Sequence, residues 1–123
     1  MMESILTSIK KLLGIAEEYT HFDADLIMHI NSVFSILSQI GVGPPEGFSI
    51  KDKSSVWGDF VPENSKENSK WELILNFLKS YTYMKVKLYF DPPLSSSVIE
   101  SMNRIISELE WRIQVVADSV DSN

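Results

Sequence analysis

His21 and His29 are the two histidines of the chain and the residues best suited to acid–base or metal chemistry near neutral pH. Asp25 stands four positions before His29, so a helix would place both side chains on one face. A protein metal site normally uses three or four ligands, and the sequence offers no second cluster of metal-ligating residues. We therefore expect a surface ion pair between Asp25 and His29, and we predict no metal site.

Neighbouring carboxylates are the other candidates for catalysis. Glu17 and Glu18 lie in a polar connection, whereas Glu108 and Glu110 are two positions apart and would point to different faces of a helix. Cysteine is absent, as are the nucleophile-elbow, phosphate-loop and dinucleotide-binding glycine motifs. We predict that the protein is not an enzyme and has no cofactor.

Aromatic and basic residues alternate along one segment, a pattern that could stack on and neutralise a nucleic acid. The alternating residues are Tyr81, Tyr83, Lys85, Lys87 and Tyr89. On a strand they would share a face, but on a helix they scatter around the cylinder. The formal charge is also −6, from 17 acidic and 11 basic residues, so bulk electrostatics oppose binding to phosphate. We expect no specific DNA binding by this segment.

The elements that position these residues are predicted to be helices. Apolar spacing indicates an all-α fold, a small bundle of four main helices with a long irregular loop between the second and third. The first helix covers residues 4–13, and the second follows an Asp23 cap and ends at Gly41. No apolar run is long enough to span a membrane.

Capping boxes predict the starts of the other two helices, at residues 69–72 and 97–100. The third helix is apolar on nearly every face and stops before Pro92, which indicates a central helix or one partly covered by another subunit. The apolar stripes predict a core that includes Leu26, Ile30, Phe34, Ile74, Leu78, Ile105 and Leu109.

We expect residues 1–117 to form a single helical domain and residues 118–123 a flexible polar tail. Within the domain, residues 41–69 form the long loop, with a short helical turn around residues 54–59. Loops of this length are usually functional or interaction segments. Aromatic residues off the helical stripes either fold back onto the core or contact a partner. The candidate interface residues are Phe48, Trp57, Phe60, Trp111 and Val120.

Taken in order, these elements resemble the head–tail connector (adaptor) proteins of tailed bacteriophages and prophages. The resemblance covers nearly the whole chain, and the order of elements with the Asp-Pro-Pro break carries most of it. The matching segments are residues 5–15, the Asp23-x-Asp25-Leu26-Ile27 helix start, the loop rich in glycine and proline, Tyr81 to Phe90 running into Asp91-Pro92-Pro93, Met102-Asn103-Arg104-Ile105, and Glu108-Leu109-Glu110-Trp111-Arg112.

The resemblance implies a structural protein of the virion neck. Such a protein forms a homo-oligomeric ring between the portal and the next neck or tail component and prolongs the DNA channel. It is assembled in the host bacterial cytoplasm, with no membrane partner and no specific binding of the DNA that passes through. The alternative is a small helical accessory protein of a phage that takes part in DNA packaging or binds DNA. Such a protein would need a basic recognition face.

Overall fold

The computed structural model describes residues 2–121 and contains four α-helices. They are α1 (Ile5–Leu13), α2 (Asp23–Gln39), α3 (Lys70–Phe90) and α4 (Ser96–Asp121). The predicted all-α bundle, with its long loop between the second and third helices, is confirmed. Helix α3 is the central element, since α1, α2 and α4 all pack against it.

Helix α1 is held at both ends by local chemistry. The Ser4 side chain accepts a hydrogen bond from the Thr7 N–H, and Gly14 takes the left-handed conformation that ends the helix. The loop is also hydrogen-bonded to the start of α1. The Ile5 N–H donates to the Ser55 carbonyl, and the Trp57 N–H donates to the Glu3 carbonyl. These bonds fix residues 55–57 of the loop against the bundle.

The predicted cap of α2 is wrong by one residue. Phe22 occupies the capping position, and Asp23 is the first helical residue. The Asp23 carboxylate pairs instead with Lys10, whose Nζ lies 2.8 Å from Oδ1. The buried Lys10 ammonium also donates to the carbonyl oxygens of Glu17 and Tyr19, at 2.9 and 2.7 Å. Lys10 therefore ties α1 to the α1–α2 connection and to the start of α2.

The two predicted capping boxes are at the right ends of the right helices, but their hydrogen bonds differ. Ser69 caps α3 by position without a side-chain bond, and the Asn68 side chain accepts from the Lys70 N–H. At α4 the Val98 N–H donates to the hydroxyl of Ser95, not of Ser97. Short polar side chains one residue earlier at α3 and two residues earlier at α4 replace the predicted ones.

Helix α4 is longer than expected and continues to Asp121, so the part of the predicted tail up to that residue is helical. Residues 122 and 123 lie outside the described part of the chain. The core side of α4 also differs from its predicted stripe, because Ile105 is 41% exposed while Ile106, Ile113, Ala117 and Val120 are buried. The other predicted core residues of α2 and α3 are buried, and Leu109 is half-buried.

The long loop contains two short 3-10 turns, Trp57–Phe60 and Glu63–Ser65, the first close to the expected turn. Its middle is attached to α2, where the Asn31 side chain donates to the Ile50 carbonyl and accepts from the Ile50 N–H. Gly43 has φ +101° and lies so close to Phe60 that an added Cβ would be 2.7 Å from the Phe60 ring. The loop is therefore packed into the fold at several points.

Candidate protein-interaction surface

Two of the candidate interface residues, Trp57 and Phe60, lie inside the subunit. Their exposed fractions are 0% and 1%, and the Trp57 indole donates to the Ser8 hydroxyl at 2.9 Å. Phe60 packs on Phe34 of α2 and on Trp71 of α3. Of the two alternatives for these side chains, folding back onto the core or contacting a partner, the structure shows the first, because the 3-10 turn places them between α1, α2 and α3.

Phe48 and Val120 also pack inward. The half-buried Phe48 ring makes edge contacts with Phe34 and Phe60, at centroid distances of 5.2 and 5.6 Å. Val120 is buried near the end of α4. Both side chains contribute to the interior of the isolated subunit and leave little of their surface exposed. An interface role for them stays a prediction.

Trp111 is the one member of the candidate set that is largely exposed, at 60%. The Arg112 guanidinium lies 5.7 Å from the centre of its ring, and Arg112 in turn binds the Glu108 carboxylate. Val115, one turn further along α4, is exposed as well. We call Trp111 and Val115 together the Trp111 patch.

A second apolar surface follows the seam between α3 and α4. Gln114 of α4 donates to the carbonyl oxygen of Ile40, so that side of α4 faces α2. An apolar stripe lies about 120–180° further around α4, on the side that faces away from α2. We call this stripe and its neighbours on α3 the outer seam; its members are Leu73, Phe77, Met84 and Leu88 of α3, and Val98, Met102, Ile105, Leu109 and Val116 of α4.

The outer seam is only partly covered by the subunit itself. Leu73, Val98 and Ile105 are more than 40% exposed, and the other members are half-buried. On α3 the seam residues lie about 120–180° around the helix from Lys79, whose Nζ pairs with Glu3 beside α1. The seam therefore lies on the side of α3 opposite its contact with Glu3, and most of its half-buried members pack against the core.

The alternating aromatic and basic segment is split by the helix, as predicted. Tyr81, Lys85 and Tyr89 follow one face of α3, with the Lys85 Nζ 5.5 Å from the Tyr81 ring centre. The Tyr81 hydroxyl donates to the Glu110 carboxylate at 2.6 Å. Burial and the nearby Glu110 charge both raise the pKa of Tyr81 above its ordinary value. This is a structural contact between α3 and α4.

The predicted ion pair between Asp25 and His29 does not form. The His29 ring instead packs beside Tyr89 and Phe90, at centroid distances of 5.6 and 6.5 Å. Across residues 2–121, no three acidic or histidine side chains are grouped so as to hold a metal ion. A concavity of about 530 Å³ between α1 and α2 is lined by Lys10, but its ammonium already donates to protein oxygens.

Comparison with known protein families decides the class of protein. A family model described as phage connector protein matches residues 5–120, nearly the whole chain. The chain belongs to that family. The resemblance to phage head–tail connectors seen in the sequence is thereby confirmed, and with it a connector role in a structural family of phage proteins. No curated protein and no solved structure matched the chain.

Sequence reasoning missed the outer seam of this connector-family chain, although the signal was present. Val98, Met102, Ile105 and Leu109 repeat at steps of four, three and four, which is the spacing of a helix that packs on another helix. The buried residues of α4 form a second, adjacent stripe. A single apolar stripe was predicted where the helix has two, one buried in its own core and one that the subunit covers only in part. No described helix is long and apolar enough to cross a membrane.

Proposed function

We propose that this connector-family chain forms a homo-oligomeric ring in the neck of a tailed phage or prophage-derived particle. The ring lies between the portal and the next neck or tail component and prolongs the channel for DNA. It assembles in the host bacterial cytoplasm and becomes part of the virion. Family membership over residues 5–120 is the observation that carries this proposal.

Two physical features support a ring component. The outer seam and the Trp111 patch leave apolar side chains exposed on two sides of one hairpin, and a head-to-tail contact that closes into a ring needs two different patches on each subunit. The net charge of −6 also suits a conduit, because a negative wall does not hold the phosphate backbone.

Complementation of a particle that lacks this protein tests the proposal. Without the chain, heads should fill with DNA and remain tailless, and the wild-type chain should restore tailed particles. The purified chain should also co-sediment with the portal. Restored packaging in particles that were previously empty would favour the packaging-accessory alternative instead.

A further inference from the structure

We propose that a row of contacting aromatic rings, where the start of α2 meets the end of α3, binds an arginine-bearing segment of a neighbouring protein. We call these rings the aromatic array; its members are Tyr19, His21, Phe22, His29, Tyr89 and Phe90. The inference deepens the proposed function by naming the chemistry of one contact, and it rests on that function because the segment is taken to belong to another protein of the neck.

The array is continuous across three elements of the fold. Phe22 at the cap of α2 contacts Phe90 at the end of α3, with ring centres 5.1 Å apart. His29 of α2 contacts both Phe90 and Tyr89, at 6.5 and 5.6 Å. The α1–α2 connection adds the other two rings, which contact Phe22 at 4.8 and 5.8 Å. The rings therefore form one surface and are not scattered exposed residues.

The two ends of the array are open to solvent and its middle is anchored. Tyr19 is 50% exposed and Tyr89 is 43% exposed. Phe22 and Phe90, which join the two ends, are half-buried and pack against the core. The subunit therefore holds the array in place while it presents tyrosine rings to a partner.

A cation of the chain itself already lies against one end of the array. The Lys85 ammonium is 6.0 Å from the ring centre of Tyr89, within the range in which a cation is attracted to an aromatic face. Over Tyr19, Phe22 and Phe90, no lysine or arginine of residues 2–121 is placed in this way. The array thus holds one cation and offers further rings of the same kind.

Carboxylates beside the array favour a cationic partner. Glu17 and Glu18 directly precede Tyr19, and Asp25 lies one turn before His29 on the same face of α2. None of these three carboxylates forms an ion pair in the described part of the chain. A partner cation would meet unpaired carboxylates and aromatic rings together.

The lysines next to the array do not cancel this charge. Lys10 is paired with Asp23 at 2.8 Å, and Lys87 is paired with Asp91 at 2.9 Å. Among the described residues that contact or flank the array, Lys85 is the lysine without an ion pair. The remaining charge is negative, which opposes an anionic partner. Arginine fits best, because its planar guanidinium stacks on rings and donates to carboxylates at the same time.

Titration with two peptides of equal charge tests the contact. The probes are the heptapeptides Gly-Arg-Gly-Arg-Gly-Arg-Gly and Gly-Lys-Gly-Lys-Gly-Lys-Gly with blocked ends, added to the full-length chain at low ionic strength. Amide chemical shifts measured by NMR report both the affinity and the site. We expect the arginine peptide to bind more tightly, with shifts centred on residues 17–29 and 85–91. The double variant Tyr19→Leu/Tyr89→Leu should raise its Kd about ten-fold, or about three-fold for each ring.

Matched controls separate the array from the general negative charge of the protein. Trp111→Leu removes an exposed aromatic ring outside the array, and Glu67→Gln removes an exposed carboxylate outside it. Asp25→Asn should weaken binding of the arginine peptide, and neither control should. Equal Kd values for the array variants and the controls, or equal binding of the two peptides, would overturn the inference.

Complementation separates a failure of this inference from a failure of the proposed function. The double variant should restore fewer tailed particles than the Trp111→Leu control if the array contacts another neck protein. If the wild-type chain restores tailed particles and the double variant does so equally well, the array contact is refuted while the proposed function stands.

Discussion

At the scale of single residues, Trp57 has a structural role that its position in a polar loop does not reveal. Periodicity identifies buried residues only inside regular elements, so the core positions of α2 were predictable and Trp57 was not. Its burial depends on the 3-10 turn and on the Ser8 hydroxyl 49 positions away in the chain. Such a long-range contact leaves no local signature in the sequence.

Trp57→Ala should destabilise the subunit by about 3–5 kcal/mol, because it leaves a cavity in the core and removes the partner of Ser8. Trp111→Ala, on the exposed face of α4, is the matched control and should change the free energy of unfolding by no more than about 0.5 kcal/mol. Urea denaturation followed by circular dichroism measures both. Equal stabilities for the two variants would show that the loop does not contribute to the core.

Lys10→Met should destabilise the subunit by about 2–3 kcal/mol, because the ammonium bonds to Glu17, Tyr19 and Asp23 are lost together. Lys11→Met, at the exposed neighbouring position, controls for the loss of one positive charge and should be nearly neutral. Thermal unfolding of the two variants makes the comparison. A nearly neutral Lys10→Met would mean that the connection from α1 to α2 is held by other contacts.

Tyr81 predicts a pH dependence at the alkaline end. Its pKa is raised in the folded protein, so above the ordinary tyrosine pKa of about 10 the unfolded chain loses the proton first. Stability contributed by this group is complete below that pH and is lost as the pH rises further. Tyr81→Phe should therefore unfold with a weaker pH dependence between about pH 10 and 11 than the wild type. Identical slopes would contradict the buried Tyr81–Glu110 bond.

At the scale of elements, helix type and order followed from apolar spacing, but the partner of each helix face did not. Helix α4 shows the difference, since Ile105 and Ile106 are adjacent in the sequence yet only Ile106 enters the core. Apolar periodicity predicts that a helix face is buried. It does not indicate whether the same subunit or another one buries that face. For a related reason, the sequence predicted an end of α4 before its observed end at Asp121. A polar composition after Ala117 does not by itself end a helix.

The packing of the loop against the end of α2 can be tested with two glycines of similar backbone conformation. Gly41 and Gly43 have φ of +85° and +101°, so alanine is strained at both positions. Only at Gly43 would the new Cβ also meet the Phe60 ring. Gly43→Ala should therefore lower the unfolding midpoint more than Gly41→Ala, and equal midpoints would mean that the loop is free to move away.

At the scale of the whole molecule, the charge and the absence of a basic stripe predict weak DNA binding. The isolated protein should bind duplex DNA no better than about 10⁻⁴ M at physiological salt, the weak end of nonspecific binding. Fluorescence anisotropy over a range of salt concentrations measures this. Micromolar affinity with a steep salt dependence would support a packaging or DNA-binding role.

The central claim is that copies of this chain form a ring beneath the portal, and a cryo-electron microscopy reconstruction of the particle neck tests it most directly. We expect a closed ring of identical helical subunits that contacts the portal on one side and continues the DNA channel. A neck without the chain, or a chain found bound to DNA inside the head, would contradict the proposed ring.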